Sequence, residues 1–161
     1  MDSWWSRILA TLVVSGGVAL IGWKASAEPN RVTFPADFDK GVHYTTVVRG
    51  SVREEMFASR ETIDLVKAGK PIPDGAHVTL VIYRNGALAD YFIMQKGQGW
   101  GADYDNQRRT GDWQFQRYFP DRTIQASHDS ARCQSCHQGR ASSEYLYTMD
   151  AMKAFNGTVI Q

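Results

Sequence analysis

The sequence predicts an α+β domain built on an antiparallel β-sheet with a few helices. The tetrapeptide Arg84-Asn85-Gly86-Ala87 stands between two β-branched runs, residues 78–83 and 88–95. Asn-Gly accepts the positive φ angles that a tight hairpin turn requires, so these runs are predicted to pair as antiparallel strands. Residues 113–119 alternate large aromatic with polar side chains, as a strand with one buried face does. Long helical patterns are few, which favours the α+β class over a helical bundle.

The remaining early elements follow from local patterns. Residues 30–39 are polar and contain Pro35, which indicates an arm or loop, and residues 43–48 are β-branched and aromatic, which indicates a strand. Residues 59–69 read as an amphipathic helix that Ser59 can cap at its start and Gly69 can end.

The later part of the chain holds a loop and a short helix. Residues 97–111 are rich in Gly, Asp and Asn, which is typical of a long loop. Residues 149–155 are predicted to form a last short helix with Thr148 as its cap. Met149 and Met152 are expected to face the core from this helix, which is the usual position of methionine.

The first 27 residues are predicted to be a targeting segment. Arg7 precedes an apolar run at residues 8–23, and Ala25-Ser26-Ala27 has the small-x-small pattern that signal peptidase accepts. The run is short for a membrane span of roughly 20 residues, so cleavage is favoured, with a retained N-terminal membrane anchor as the alternative. In either case residues 28–161 form one exported, periplasmic domain that contacts a membrane only through a retained anchor.

Composition excludes some classes of partner. The formal net charge of the 161 residues is +1, so nothing in the charge balance indicates binding to nucleic acid. Only two cysteines are present, and they lie three positions apart, which is too few and too close for a disulfide scaffold.

These cysteines belong to the pentapeptide Cys133-Gln134-Ser135-Cys136-His137, the attachment motif of a c-type haem. Two intervening residues allow the two thiols to reach the two haem vinyl groups, and the adjacent His137 can then bind the iron. The predicted cofactor is one covalent haem c, with Cys133 and Cys136 as anchors and His137 as iron ligand. The alternatives are a redox disulfide, half of a zinc site with His128 or His137, and a chance match.

The position of the motif narrows the kind of haem protein. Only 24 residues follow His137, whereas small electron-carrier cytochromes have the motif near the N-terminus and a methionine ligand much further along. Cytochromes c′ do have a C-terminal motif, but they are four-helix bundles, and the hairpin predicted around Asn85-Gly86 excludes that architecture.

A C-terminal motif in a sheet-rich chain resembles the cytochrome P460 family, which includes hydroxylamine-oxidising cytochromes P460 and gas-binding cytochromes c′-beta. Further segments in the same order carry this resemblance, namely Phe34-Pro35, Val52-Arg53-Glu54, Lys67-Ala68-Gly69-Lys70, Pro73-Asp74-Gly75, Met94-Gln95-Lys96, Gly99-Trp100-Gly101 and Gly111-Asp112-Trp113. The resemblance implies an antiparallel sheet with helices, a C-terminal haem-bearing segment and a homodimer.

One departure from the family pattern concerns activity. Hydroxylamine-oxidising members carry a lysine that cross-links to the haem, and the corresponding position here is Leu80. The resemblance also implies that Arg53 lies on the distal side of the haem, although an ordinary surface arginine is an equal alternative. His43, His77 and His128 are further candidates for a sixth iron ligand.

The sequence therefore predicts a periplasmic mono-haem cytochrome that binds a small gas such as nitric oxide at an open distal site. An apolar distal face suits a neutral ligand, since pocket polarity decides between binding and activation. The alternatives are an electron-transfer cytochrome with a redox partner protein and an enzyme that oxidises hydroxylamine or uses peroxide. The absent lysine favours a protein that is not an enzyme.

Overall fold

The computed structural model of the protein describes residues 30–161. This part of the chain contains a five-stranded antiparallel sheet in the order β1-β2-β3-β4-β5, so each strand pairs with its neighbours in sequence. The strands are β1 Val42–Arg49, β2 Val52–Ala58, β3 His77–Arg84, β4 Ala87–Lys96 and β5 Trp113–Tyr118. The α-helices are α1 Arg60–Lys67, α2 Ala131–Gln138 and α3 Met149–Ala154. The predicted α+β fold is confirmed.

The predicted hairpin is present between β3 and β4. Asn85 and Gly86 have φ angles of 50° and 80°, the two consecutive positive values of a primed turn. The predicted strands at residues 43–48, 78–83, 88–95 and 113–119 correspond to β1, β3, β4 and β5.

Strand β2 was not predicted from the sequence. Its first half, Val52-Arg53-Glu54-Glu55, is rich in charged residues, which have low strand propensity. The structure stabilises it by pairing on both sides, with β1 and with β3. Tertiary pairing here overrides local preference.

The start of α1 is capped as the sequence predicts. The Oγ atom of Ser59 accepts a hydrogen bond from the backbone N–H of Thr62 at 3.0 Å. This bond satisfies one of the backbone donors that the first turn of a helix leaves without an intrahelical partner.

A Ser59→Ala variant should lower the free energy of unfolding by about 1 kcal/mol, because the first turn of α1 loses this acceptor. Chemical denaturation followed by circular dichroism measures the change. The control is Ser51→Ala, an exposed turn position outside any helix, which should change stability by less than about 0.5 kcal/mol. Equal effects of the two variants would contradict the capping role.

The two faces of the sheet pack against different parts of the chain. One face carries α1, α3 and the segment after α2, in a core formed by Tyr44, Met56, Ala58, Ile63, Val66, Val78, Met94, Trp113, Phe115, Leu146, Met149, Met152 and Phe155. The other face is covered by the N-terminal segment, in a cluster with Val32, Phe34, Phe38, Val81, Tyr91, Ile93 and Tyr118. The core positions predicted for the methionines of α3 are confirmed.

The predicted cap of α3 is wrong. Thr148 makes no side-chain hydrogen bond to the start of α3. Its hydroxyl instead forms a hydrogen bond with the hydroxyl of buried Tyr44 at 2.7 Å, which ties α3 to strand β1. The Thr148 hydroxyl therefore bonds to a residue 104 positions away in the sequence and does not cap the helix that follows it.

The predicted targeting segment, residues 1–27, lies outside the described residues. Within residues 30–161, none of the helices has the length and apolar character needed to cross a membrane.

Candidate functional site

Helix α2 places the three motif side chains on one face. Cys136 and His137 follow Cys133 by three and four positions, and residues at these spacings are neighbours on a helix surface. Cys133 is half-buried and Cys136 is exposed, and the two thiols are not joined. The motif therefore offers two thiols and one imidazole in the same direction.

That direction is a cavity of about 480 Å³ between α2 and the sheet. Both cysteines and His137 line it from α2, and Leu80 lines it from β3. The other lining residues are mostly apolar and come from the sheet and from the segment before α3, and they include Arg49, Glu54, Met56, Val78, Phe92, Met94, Phe115, Leu146, Tyr147 and Thr148. The cavity thus has the motif on one side and an apolar surface of β2, β3 and β4 on another.

The imidazole of His137 is fixed by its neighbours. Its Nδ1 atom lies 2.5 Å from the backbone carbonyl oxygen of Tyr145. A carbonyl oxygen only accepts, so Nδ1 carries the proton and Nε2 keeps its lone pair. The rings of Phe115 and Tyr147 pack against the imidazole with centroids at 4.8 Å and 5.1 Å.

Burial keeps this imidazole neutral. It lowers the pKa of His137, because the charged form loses hydration, and the hydrogen bond to Tyr145 opposes this shift only in part. A neutral imidazole with a free Nε2 is the form that binds a metal ion.

Cys133 is more buried than Cys136. Burial raises the pKa of the Cys133 thiol to about 11, so the thiol is protonated at neutral pH. Its sulfur lies 3.5 Å from Nε2 of His128, whose ring packs edge-on against Phe92. His128 thus contacts two residues that line the cavity, but it is not itself among the lining residues.

The other two histidines have partners elsewhere. His43 stacks on Phe57 and its Nε2 atom lies 2.8 Å from the hydroxyl of Thr46. The Nε2 atom of His77 lies 3.8 Å from a carboxylate oxygen of Asp37. Neither histidine lines the cavity, so the structure does not support them as iron ligands.

The position expected for Arg53 is corrected by the strand register. Arg53 pairs with Tyr83 of β3, and its guanidinium lies 4.3 Å from the centre of the Tyr83 ring and 3.1 Å from Glu55. Successive side chains of a strand point to opposite faces, so Arg53 lies on the face opposite Glu54 and Met56, which line the cavity. Arg53 therefore does not line this cavity.

The arginine at the cavity is Arg49, at the end of β1. Its guanidinium donates to the carboxylate of Glu54 at 2.6 Å, with the Arg49 side chain 66 % exposed and the Glu54 side chain 16 % exposed. Neither residue was predicted from the sequence to lie at the site, and nor were the two methionines Met56 and Met94. A two-residue period read along β2 from Met56 would have found Glu54, because both then share one face.

The site fits a haem by the chemistry of its donors. Two thiols and a neutral imidazole face one mostly apolar cavity, and an arginine at its edge can pair with a carboxylate of the porphyrin. A zinc site fits less well, because within residues 30–161 no group of three His, Cys, Asp or Glu side chains is placed to hold a metal ion.

The fold and the site together define a haem protein of the α+β class. The sequence profile of the family described as Cytochrome P460 matches residues 35–148, which is more than half of the chain. The chain therefore belongs to the cytochrome P460 family, as its motifs predict, and is a haem-binding cytochrome. No curated protein matches this chain.

Proposed function

We propose that the protein is a mono-haem c-type cytochrome that binds a small neutral gas, such as nitric oxide, at an open distal site. The observation that carries this proposal is the composition of the cavity. Cys133, Cys136 and His137 line it from α2, and the sheet side presents Leu80 among apolar neighbours.

The three motif residues have distinct roles in this proposal. The thiols of Cys133 and Cys136 would hold the cofactor on α2 through thioether links to its two vinyl groups. His137 would bind the iron through Nε2, because Nδ1 is held by the carbonyl of Tyr145. When bound, the haem supplies an iron that binds diatomic gases.

The distal wall explains why a neutral gas is the proposed ligand. Leu80 pairs with Met56 on one side and with Phe92 on the other, so this part of the sheet is apolar. No lysine is among the described residues that line the cavity. The wall therefore lacks the amine that cross-links the haem in hydroxylamine-oxidising relatives, and it offers an apolar surface to a neutral ligand.

Met56 and Met94 give specific support to a second function, electron transfer. Both thioethers lie at the cavity, and a methionine opposite His137 would give the six-coordinate iron of an electron carrier.

The optical spectrum of the ferric and ferrous protein distinguishes the two functions. Gas binding predicts a high-spin, five-coordinate ferric spectrum and a new spectrum on addition of nitric oxide. A low-spin spectrum that becomes high-spin in Met56→Leu or Met94→Leu would instead establish a methionine ligand. Phe155→Leu, a buried position of the core outside the cavity lining, is the matched control.

We also propose that residues 28–161 are exported to the periplasm and act as a homodimer. The support is the signal-like pattern of residues 1–27 and the resemblance to the family. Mass analysis of the N-terminus and fractionation of expressing cells test cleavage and location, and light scattering tests the dimer. Recovery of residues 28–161 in the cytosolic fraction contradicts export, and a monomer at micromolar concentration contradicts the dimer.

A further inference from the structure

The turn that follows α2 has an unusual backbone. Glu144 and Tyr145 have φ angles of 46° and 64°, so two consecutive residues with side chains adopt the left-handed conformation. This conformation is unfavourable for glutamate and tyrosine, unlike glycine or asparagine, and persists only where the surroundings hold it.

The strained turn orients the imidazole of His137 at the candidate site. It directs the carbonyl oxygen of Tyr145 to Nδ1 of His137 at 2.5 Å. The turn is closed by the backbone N–H of Tyr145, which donates to the carbonyl of Arg140 at 2.7 Å. The orientation of the imidazole thus depends on the conformation of the residues after α2.

A small polar network holds Glu144 in place. Its carboxylate accepts hydrogen bonds from the backbone N–H of buried Ile72 at 3.0 Å and from the ammonium group of Lys96 at 3.1 Å. Lys96 also donates to the carbonyl of Ile72 at 2.7 Å, so the three residues form a closed triangle. This triangle attaches the turn to the loop before β3 and to the end of β4.

The ring of Tyr145 provides a second attachment. It packs over Gly111, where an added Cβ atom would lie 2.8 Å from the Tyr145 ring. Gly111 and Lys96 both belong to segments that carry the family resemblance, and both contact the same turn.

We propose that Lys96 and Glu144 are positioning residues for His137, which set the reduction potential of the haem through the Tyr145 carbonyl. This inference rests on the proposed role of His137 as iron ligand. A hydrogen bond from Nδ1 increases the basicity of the ligating nitrogen, and a more basic ligand stabilises ferric over ferrous iron. Weakening the Lys96–Glu144 pair therefore favours the ferrous state.

The test compares Lys96→Met and Glu144→Gln with the wild-type holoprotein by redox titration. Each variant is expected to shift the ferric–ferrous equilibrium about tenfold toward ferrous, which is about 59 mV for one electron. The matched control is Arg31→Met, which removes the cation from the ion pair between Arg31 and Asp103 at 2.8 Å, away from the cavity lining. The control should keep the wild-type potential.

Two replacements of Glu144 separate positioning from general stability. Both replacements remove the carboxylate from the network. Asparagine still tolerates the left-handed conformation, whereas alanine does not. The potential is expected to shift more in Glu144→Ala than in Glu144→Asn. If the reduction potential is unchanged in all variants, with or without a lower melting temperature, Lys96 and Glu144 have only a structural role and the inference is overturned.

A separate measurement tests the proposed ligand. The alkaline pyridine spectrum of the wild-type protein reports thioether attachment, and His137→Ala reports iron ligation through a changed ferric spectrum. A negative result in either assay overturns the proposed function. Positive results together with unchanged potentials in the Lys96 and Glu144 variants overturn only the positioning role.

Discussion

A double variant, Cys133→Ser with Cys136→Ser, is expected to lose its haem completely on denaturation. Serine hydroxyls do not form thioethers with the vinyl groups, so only His137 would hold the cofactor, and unfolding of the protein releases it. Each single variant should keep one thioether and remain stained for haem on a denaturing gel, with the altered pyridine spectrum of a haem that retains one free vinyl group.

Ser135→Ala is the matched control for this experiment, because Ser135 lies between the two cysteines on α2 and is exposed. It should retain the wild-type haem content and spectrum. Haem that stays with the denatured double variant would contradict attachment at these positions.

A Leu80→Lys variant is expected to bind nitric oxide at least about tenfold more weakly, if the new amine occupies the sixth position in about nine of ten molecules. Leu80 lies in an apolar wall, where burial lowers the pKa of an introduced lysine and leaves a neutral amine as donor. Titration with nitric oxide measures the affinity, and the ferric spectrum should change toward low spin or show a red-shifted band from a cross-link.

Leu80→Ile is the control, since it keeps an apolar side chain of equal size at the same place. Its affinity should stay close to that of the wild type. An unchanged affinity and spectrum in Leu80→Lys would show that Leu80 does not face the iron and would contradict the proposed distal wall.

The features that were predicted correctly depend on local interactions. The Asn85-Gly86 turn and the Ser59 cap each involve residues within four positions of one another. Turn chemistry and capping are properties of such short segments, which is why the sequence alone was sufficient for them.

The features that were missed depend on pairing between distant residues. The face on which Arg53 lies follows from the register of β2, and a shift of one residue would reverse it. Thr148 was expected to cap α3 but bonds to Tyr44 instead. Lys96 and Glu144 are 48 positions apart, and no local pattern indicates that they meet.

The order of the strands has a consequence for how the protein acquires its cofactor. Every pair in the sheet joins strands that are consecutive in the chain, and two of these pairings, β1 with β2 and β3 with β4, close only a tight turn, which costs little chain entropy. Among the described residues, no strand of the sheet lies beyond Tyr118. The sheet, complete at Tyr118, can therefore assemble before α2 is needed. A cofactor that is added late in maturation would meet the apolar face of a sheet that has already formed. Its attachment to α2 would then hold this helix against the sheet.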